Sequence, residues 1–111
     1  MTGKYKINYS DNAYEDLRKI YTYIANNLLA PETATAQVNR IRSKIRTLDV
    51  MPARYAVVKW EPWHSMKIHQ LPVDNFIAYY LVDDGELSIT VVRIFYGGQD
   101  IEKIVKANEP E

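Results

Sequence analysis

The chain has 111 residues, no cysteine, 14 Lys and Arg against 14 Asp and Glu, and 47% hydrophobic residues. This length and composition suit one soluble domain with a real core, which we predict to span residues 1–111. The absence of cysteine excludes a disulfide, a thiolate metal site and a Cys nucleophile. No apolar run approaches the roughly 18 residues that span a bilayer, and the N-terminus lacks a signal-peptide pattern. We therefore expect a cytoplasmic protein without a membrane partner.

The zero net charge hides an uneven distribution along the chain. Residues 40–70 contain seven Lys and Arg against two acidic residues, whereas residues 83–111 contain three Lys and Arg against seven acidic residues. If the fold keeps these segments apart, the surface has a basic end and an acidic end. The alternative is that both segments simply contribute solvated faces.

The first fifty residues carry the patterns of one strand and two helices. Apolar and polar residues alternate over 4–9, which is typical of a half-buried strand. Ser10 can cap a helix that follows, and Pro31 suits the first position of a second helix. Apolar residues recur at helical spacing in both segments: Ala13, Leu17, Ile20, Tyr21, Ile24 and Leu28, then Ala34, Val38, Ile41, Ile45 and Leu48. Because the link is short, residues 11–49 are predicted to form an antiparallel helical hairpin.

The second half of the chain predicts a loop followed by three strands. Residues 50–66 lack a sustained period, and their tryptophans, Trp60 and Trp63, either anchor the loop by burial or stack on bases. The strand candidates are residues 67–71, 76–82 and 87–96, with turn signals at 72–75 and 83–86 and a short terminal helix over 100–107. We predict an α+β fold of order β-α-α-β-β-β-(α), with the helical hairpin packed on one face of a small, curved antiparallel sheet.

Four short segments of the sequence, taken together, have a characteristic order and spacing along the chain. Val92 to Ile101 ends the last strand with an Arg-x-x-Tyr-Gly pattern followed by an aspartate, and three further segments are Tyr23 to Ala25, Leu48 to Pro52 and Leu71 to Tyr80. Together they resemble the RelE/ParE superfamily, the toxins of bacterial type II toxin–antitoxin systems. The resemblance covers residues 4–101. It implies the RelE/ParE fold, a cognate antitoxin as partner, and contact with operator DNA only through the antitoxin complex.

The resemblance implies growth inhibition by one of two mechanisms. One group of the superfamily consists of ribosome-dependent messenger-RNA endonucleases, in which the RNA 2′-hydroxyl attacks the adjacent phosphate with the help of a base, an acid and cations. Their partners are the ribosome and its messenger. The other group inhibits DNA gyrase without catalysing a reaction. No cofactor is implied, and because the two histidines lack metal-ligand spacing, no metal is expected either.

The nuclease hypothesis assigns roles to ten residues. The catalytic candidates are Arg93, Tyr96, Lys67, His69, His64 and Glu61, and the RNA-binding candidates are Arg54, Lys59, Arg42 and Arg46. Tyr96 matches a nuclease tyrosine at the end of the last strand, and Glu61-Pro62 resembles a Glu-Pro pair that supplies a proposed base. By contrast, Phe95 and Ile77 stand where the nucleases have a histidine and a strand arginine.

The residues support both mechanisms in part. The missing histidine and arginine favour the gyrase inhibitor, whereas the basic middle of the chain and Tyr96 favour the nuclease, which we take as the leading hypothesis. Arg93 either forms an internal ion pair or contacts phosphate or antitoxin, and His64 either replaces the missing histidine or caps its own loop. If residues 40–70 form the antitoxin docking site, they predict an acidic or amphipathic peptide there.

Overall fold

The computed structural model describes residues 4–107, and its elements follow the predicted order. The helices and strands are β1 (Lys6–Tyr9), α1 (Asp11–Thr22), α2 (Pro31–Arg46), β2 (His69–Val73), β3 (Phe76–Asp83), β4 (Ser88–Tyr96) and α3 (Ile101–Ala107). The predicted α+β fold is confirmed, with two antiparallel helices against a small sheet and a short helix after the last strand. The remaining residues of the predicted domain, 1–3 and 108–111, lie outside the described range.

Local chemistry fixes where the two long helices begin. The Ser10 side-chain oxygen accepts a 3.0 Å hydrogen bond from an amide of the first turn of α1, as its capping role predicts. Pro31 occupies the first turn of α2, where its missing N–H removes no helical bond. Helix α1 ends earlier than predicted, because the backbone widens into a π-helical turn over Tyr23–Asn27 and Leu29 then takes a left-handed φ of 53°. No helix within the described range has the length and apolar character needed to cross a membrane.

The four strands form one sheet in the order β1-β4-β3-β2. Strands β2, β3 and β4 are antiparallel neighbours, as their short turns predict. The prediction of an antiparallel sheet is wrong for β1. This strand pairs in parallel with β4, and Ile7 lies opposite Ile89. The helical hairpin carries the chain across the whole sheet between β1 and β2. The alternation that identifies β1 as a strand contains no information about its partner.

Two predicted boundaries of β2 shift by two residues. The strand begins at His69 because Lys67 has a left-handed φ of 59°, which a strand does not accommodate. The following turn contains only Asp74 and Asn75, with Asp74 at a φ of 55°, so Pro72 belongs to the strand and not to the turn. Proline is tolerated there because β2 lies at the edge of the sheet.

Apolar clusters cover both faces of the sheet. On the helix face, the first cluster joins α1 and α2 to the strands and includes the fully buried Ile41, Ile45 and Tyr80. On the opposite face, the second cluster contains Val58, Trp63, Ile68, Tyr79, Phe95, Ile101 and Val105. The adjacent residues Tyr79 and Tyr80 serve different clusters because side chains alternate along a strand. The sheet is therefore a buried middle layer.

The loop between α2 and β2 lies over the second face. Trp63 is only 7% exposed, and its ring centroid lies 4.8 Å from that of Tyr79. Trp60 stacks on Trp63 at a centroid distance of 5.0 Å. These contacts match the interpretation of this loop as a segment anchored by aromatic burial.

Candidate functional site

Arg93 is held in an ion pair with helix α1. Its Nε donates to Oδ2 of Asp16 at 2.8 Å, and its Nη2 donates to Oδ1 at 3.0 Å. The same carboxylate accepts the amide of Ile94 at 2.9 Å. The guanidinium also lies over the Phe95 ring, 4.4 Å from its centroid. Of the alternatives for this residue, the structure contains the internal ion pair, with 24% of the Arg93 side chain left exposed.

Sequence reasoning did not identify Asp16 as the partner. Its side chain is only 6% exposed, and it anchors the part of β4 that extends beyond β1. A signal was nevertheless present, because Asp16 falls within the apolar stripe of α1, three residues after the buried Ala13 and next to the buried Leu17. A carboxylate on a buried helical stripe requires a cation or several donors nearby.

Arg54 binds the backbone at the end of the helical hairpin. Its Nη1 donates to the carbonyl oxygen of Val50 at 2.8 Å, and its Nη2 donates to the hydroxyl of Thr47 at 3.0 Å. Its guanidinium lies 5.1 Å from the ring centroid of Tyr55. These contacts satisfy acceptors that follow the last turn of α2, so the guanidinium acts as a C-terminal cap.

Both histidines are also bound to backbone carbonyls. His64 Nδ1 lies 2.9 Å from the carbonyl oxygen of Val58, and His69 Nδ1 lies 2.7 Å from that of Tyr55. Because a carbonyl oxygen only accepts, Nδ1 carries the proton in each ring. His69 is 9% exposed and stacks on Tyr80 at a centroid distance of 5.1 Å. Each ring therefore connects two parts of the chain.

The loop candidates Glu61, Lys67 and Lys59 are all exposed. Glu61 accepts the hydroxyl of Ser65 at 2.8 Å and its amide at 3.0 Å. Both hydrogen bonds lower the pKa of Glu61, and the bond from the hydroxyl has the larger effect. Glu61 is therefore a weaker base than an ordinary glutamate. The side chains of Lys67 and Lys59 have no hydrogen-bond or ion-pair partner within residues 4–107.

Tyr96 ends β4 with half of its surface exposed. Its ring is edge-on to that of Phe76 at a centroid distance of 6.0 Å. A Cβ atom on Gly98 would lie 2.5 Å from the Tyr96 ring, so the glycine lets this ring lie close to the backbone of the terminal turn. Tyr96 thus borders an open depression at the turn between β2 and β3.

The remaining candidates, Arg42 and Arg46, lie where α2 passes β1. The Arg42 guanidinium is 5.4 Å from the ring centroid of Tyr9, and that ring stacks on Tyr14 at 5.1 Å. Burial raises the pKa of Tyr9, and the positive charges of Arg42 and then Arg46 oppose this rise. We call these four residues the aromatic–arginine patch.

The structure does not bring the ten candidates together. Alternation along β4 places Arg93 and Phe95 toward the second cluster, and Tyr96 on the opposite face with Phe76. His69 also lies on the helix face, against Tyr80. Acid–base catalysis needs its groups within hydrogen-bond reach of one substrate, which this distribution does not provide. In the part of the chain that the structure describes, no three His, Asp or Glu side chains form a group able to hold a metal ion.

A family comparison identifies the class of protein to which this fold and these residues correspond. Residues 7–101 match the family model described as the ParE toxin of the type II toxin–antitoxin system parDE. The chain therefore belongs to the ParE toxin family of type II toxin–antitoxin systems. This match supports the gyrase-inhibitor alternative better than the nuclease hypothesis. No curated protein matches the chain significantly.

Solved structures share the fold at low sequence identity. The chromosomal ParDE system from P. aeruginosa has a TM-score of 0.69 and 22% identity, covering 86% of this chain and 98% of that one. A mutant of the E. coli RelE toxin in the free state has a TM-score of 0.62 and 14% identity, covering 96% and 99%. The RelBE2 toxin–antitoxin complex from Mycobacterium tuberculosis has a TM-score of 0.60 and 17% identity, covering 84% and 98%. These likenesses establish the RelE/ParE-like fold.

Proposed function

We propose that this toxin arrests growth by binding DNA gyrase through its surface, without catalysing a reaction, and that a cognate antitoxin neutralises it. One observation carries the proposal: the residue types that RNA cleavage requires lie on different faces of the sheet, and most of them are engaged in contacts within the protein. Arg93 is paired with Asp16, and both histidines bind backbone carbonyls. The family match to ParE supports the same mechanism.

The face of the sheet that carries the second cluster also favours surface inhibition over RNA cleavage. A nuclease of this superfamily needs an open, cationic face on which the messenger can lie, since cations must surround the phosphate during attack. In this chain the second cluster covers that face. There the Tyr79 ring packs against the rings of Trp63 and Phe95, at centroid distances of 4.8 and 6.2 Å. Ile101 and Val105 of α3 belong to the same buried cluster. This surface is packed as a core.

The positions that differ from the nucleases belong to that packing. Phe95, where a histidine is expected, is only 8% exposed within the second cluster, and Ile77 packs at its margin. Neither side chain can transfer a proton or bind a phosphate. Binding to a protein target needs neither step, so these substitutions leave surface inhibition intact.

The proposal is tested by assaying purified toxin against its two possible targets. With gyrase, ATP and relaxed plasmid, we expect inhibited supercoiling, and Tyr96→Phe and Lys67→Ala should inhibit as strongly as the wild type. With ribosomes and a defined messenger, primer extension should detect no new 5′ ends. Ribosome-dependent 5′ ends that disappear in both variants, with gyrase unaffected, would establish the nuclease instead.

The partners of the chain follow from this proposal. The P. aeruginosa and M. tuberculosis structures are toxin–antitoxin systems, which supports an antitoxin as the first partner here. We expect operator DNA to be contacted only through the toxin–antitoxin complex, because the chain has a net charge of zero. DNA gyrase would be met in the cytoplasm, the predicted location.

A further inference from the structure

The turn that joins α1 to α2 contains the longest uncharged stretch of the chain. Residues 20–31, which we call the hairpin tip, contain no Lys, Arg, His, Asp or Glu, although charged residues make up 25% of the sequence. Among its large side chains, Tyr23 is 55% exposed, Leu28 56% and Leu29 83%. Exposed apolar side chains that cluster in this way are typical of a surface that binds another protein.

The backbone of the hairpin tip is fixed, although these side chains are exposed. The amide of Leu28 donates to the carbonyl oxygen of Tyr23 at 3.2 Å, so both residues belong to the same π-helical turn. The amide of Ala30 donates to the carbonyl oxygen of Ile24 at 3.1 Å, which ties the turn to a buried residue. Because the backbone is already ordered, binding through the hairpin tip loses little conformational entropy.

Leu29 has a backbone conformation that leucine disfavours. Its φ of 53° lies in the left-handed region, which asparagine and glycine adopt more easily. Two other exposed apolar residues have a left-handed φ, Met51 at 49° and Leu87 at 50°. Those two have charged residues close by in the sequence, Arg54 and Glu86, whereas Leu29 lies within the uncharged stretch. Strained positions are concentrated at functional sites, so the combination at Leu29 indicates a binding role.

We propose that the hairpin tip inserts into an uncharged, apolar pocket of DNA gyrase. The proposal rests on the proposed function and names the toxin surface and the chemistry of the gyrase site. Since residues 20–31 offer no charge, a phosphate or a charged surface would lose hydration there without gaining an ion pair. Leu28 and Leu29 would supply the apolar area buried in the pocket. Tyr23 would supply an aromatic contact of the type enriched at the centres of interfaces.

A second copy of this chain is a poor occupant of the hairpin tip. Three side chains cannot cover the roughly 800 Å² that each partner of a stable complex buries. A two-fold pairing would also place one tip against an identical tip, and a turn at the end of a hairpin offers no pocket to another. The hairpin tip is therefore suited to be the central contact within a larger gyrase interface.

Asparagine substitutions test the proposal without straining the fold. Leu28→Asn combined with Leu29→Asn removes both apolar side chains, and asparagine suits the left-handed φ at position 29. This variant should melt like the wild type and should need about tenfold more toxin for half-inhibition of supercoiling. The matched control is Met51→Asn with Leu87→Asn, which makes the same change at two exposed left-handed positions and should inhibit like the wild type. Equal losses in the two double variants would overturn the proposal.

Photo-crosslinking tests the contact directly and does not depend on the asparagine variants. Leu29→p-benzoylphenylalanine, irradiated with gyrase, should give an adduct with an uncharged, apolar segment of one gyrase subunit. Leu87→p-benzoylphenylalanine should give none. An adduct from position 87 alone, or no adduct from toxin that inhibits supercoiling, would contradict the proposal. Toxin–toxin adducts at position 29 without a gyrase adduct would mean that a second copy occupies the hairpin tip.

The supercoiling assay separates failure of this proposal from failure of the proposed function. If the wild-type toxin leaves supercoiling unaffected, gyrase inhibition itself is wrong. If the wild type inhibits and the hairpin-tip variant inhibits equally, only the assignment to the hairpin tip is wrong. Arg42→Glu combined with Arg46→Glu then tests the aromatic–arginine patch. A loss in this variant, with the hairpin-tip variant still active, would place the gyrase contact at the patch instead.

Discussion

Asp16 and Arg93 join the first helix to the last strand through an ion pair whose carboxylate is buried. The carboxylate is nearly inaccessible and has three donors: two from the guanidinium and the amide of Ile94. Removing one member of such a pair leaves the other charge without its partner and is strongly destabilising. This loss usually exceeds the difference in stability between the intact pair and a pair of apolar residues at the same positions. The pair should therefore matter for stability whatever the toxin binds.

Replacing Asp16 with alanine should lower the free energy of unfolding by about 3 kcal/mol. The reason is that the Arg93 charge and the Ile94 amide both lose their acceptor. Urea unfolding followed by circular dichroism measures the change. Glu15→Ala is the control, because it removes a carboxylate from an exposed pair with Arg18 and should change stability little. Similar losses in both variants would show that the Asp16 pair is energetically no different from a surface pair.

Elements outside the helices and strands determine how the hairpin meets the sheet. The segment after α2 runs through a 3-10 turn, Thr47–Asp49, and reverses at Met51, which has a left-handed φ of 49°. Arg54 holds this reversal by binding the carbonyl oxygen of Val50. The buried hydroxyl of Tyr80 donates to the carbonyl oxygen of Pro52, which fixes the same segment against the sheet. A loop without periodicity is thus specified by side-chain bonds to its backbone.

Arg54→Ala should lower the free energy of unfolding by about 1 kcal/mol, the usual net value of a lost hydrogen bond. Arg54→Lys should recover only part of the loss, because an ammonium cannot bind two separated acceptors with the geometry of a guanidinium. Thermal unfolding of both variants provides the measurement. Lys59→Ala, which removes a cation with no described partner, should unfold like the wild type. A loss in Lys59→Ala as large as in Arg54→Ala would mean that charge, and not capping, is responsible.

The whole molecule depends on two cores that share one sheet. Tyr79 and Tyr80 face opposite clusters, and burial raises the pKa of each to about 12. In the unfolded chain both hydroxyls have the ordinary tyrosine pKa, 10.0. Because the folded-state pKa is raised, this contribution to stability is fully present below pH 10 and is lost as the pH rises toward 12. Raising the pH above 10 therefore destabilises both clusters at once.

Tyr79→Phe should make the protein less sensitive to alkali, retaining on the order of 2 kcal/mol that the wild type loses between pH 10 and pH 12. The reason is that phenylalanine fills the same space and has no proton to lose. Urea unfolding at a series of pH values measures the slope, and tyrosinate absorbance reports the titration. Tyr21→Phe, at an exposed site, should leave the slope unchanged. Complete ionisation of all tyrosines near pH 10 in a protein that remains folded would contradict the burial argument.

The sequence by itself determined the order of elements, the helical hairpin and the family resemblance, because these depend on neighbours close in the chain. Ser10 caps the amide three residues later, Pro31 starts α2 without a distant partner, and alternation marks a strand wherever it pairs. The motif around Arg93 and Tyr96 is likewise contiguous. The resulting fold prediction agrees with the structure and with the ParE family match.

Only the tertiary structure decided what the candidate residues contact. Arg93 and Asp16 are 77 positions apart, and His69 binds a carbonyl 14 positions away, so no local pattern could connect them. The parallel pairing of β1 with β4 also depends on how the whole chain packs. Hydrogen bonds and ion pairs act over a few ångströms in space, whereas a sequence records separation along the chain. The fold alone determines which distant residues come within that reach.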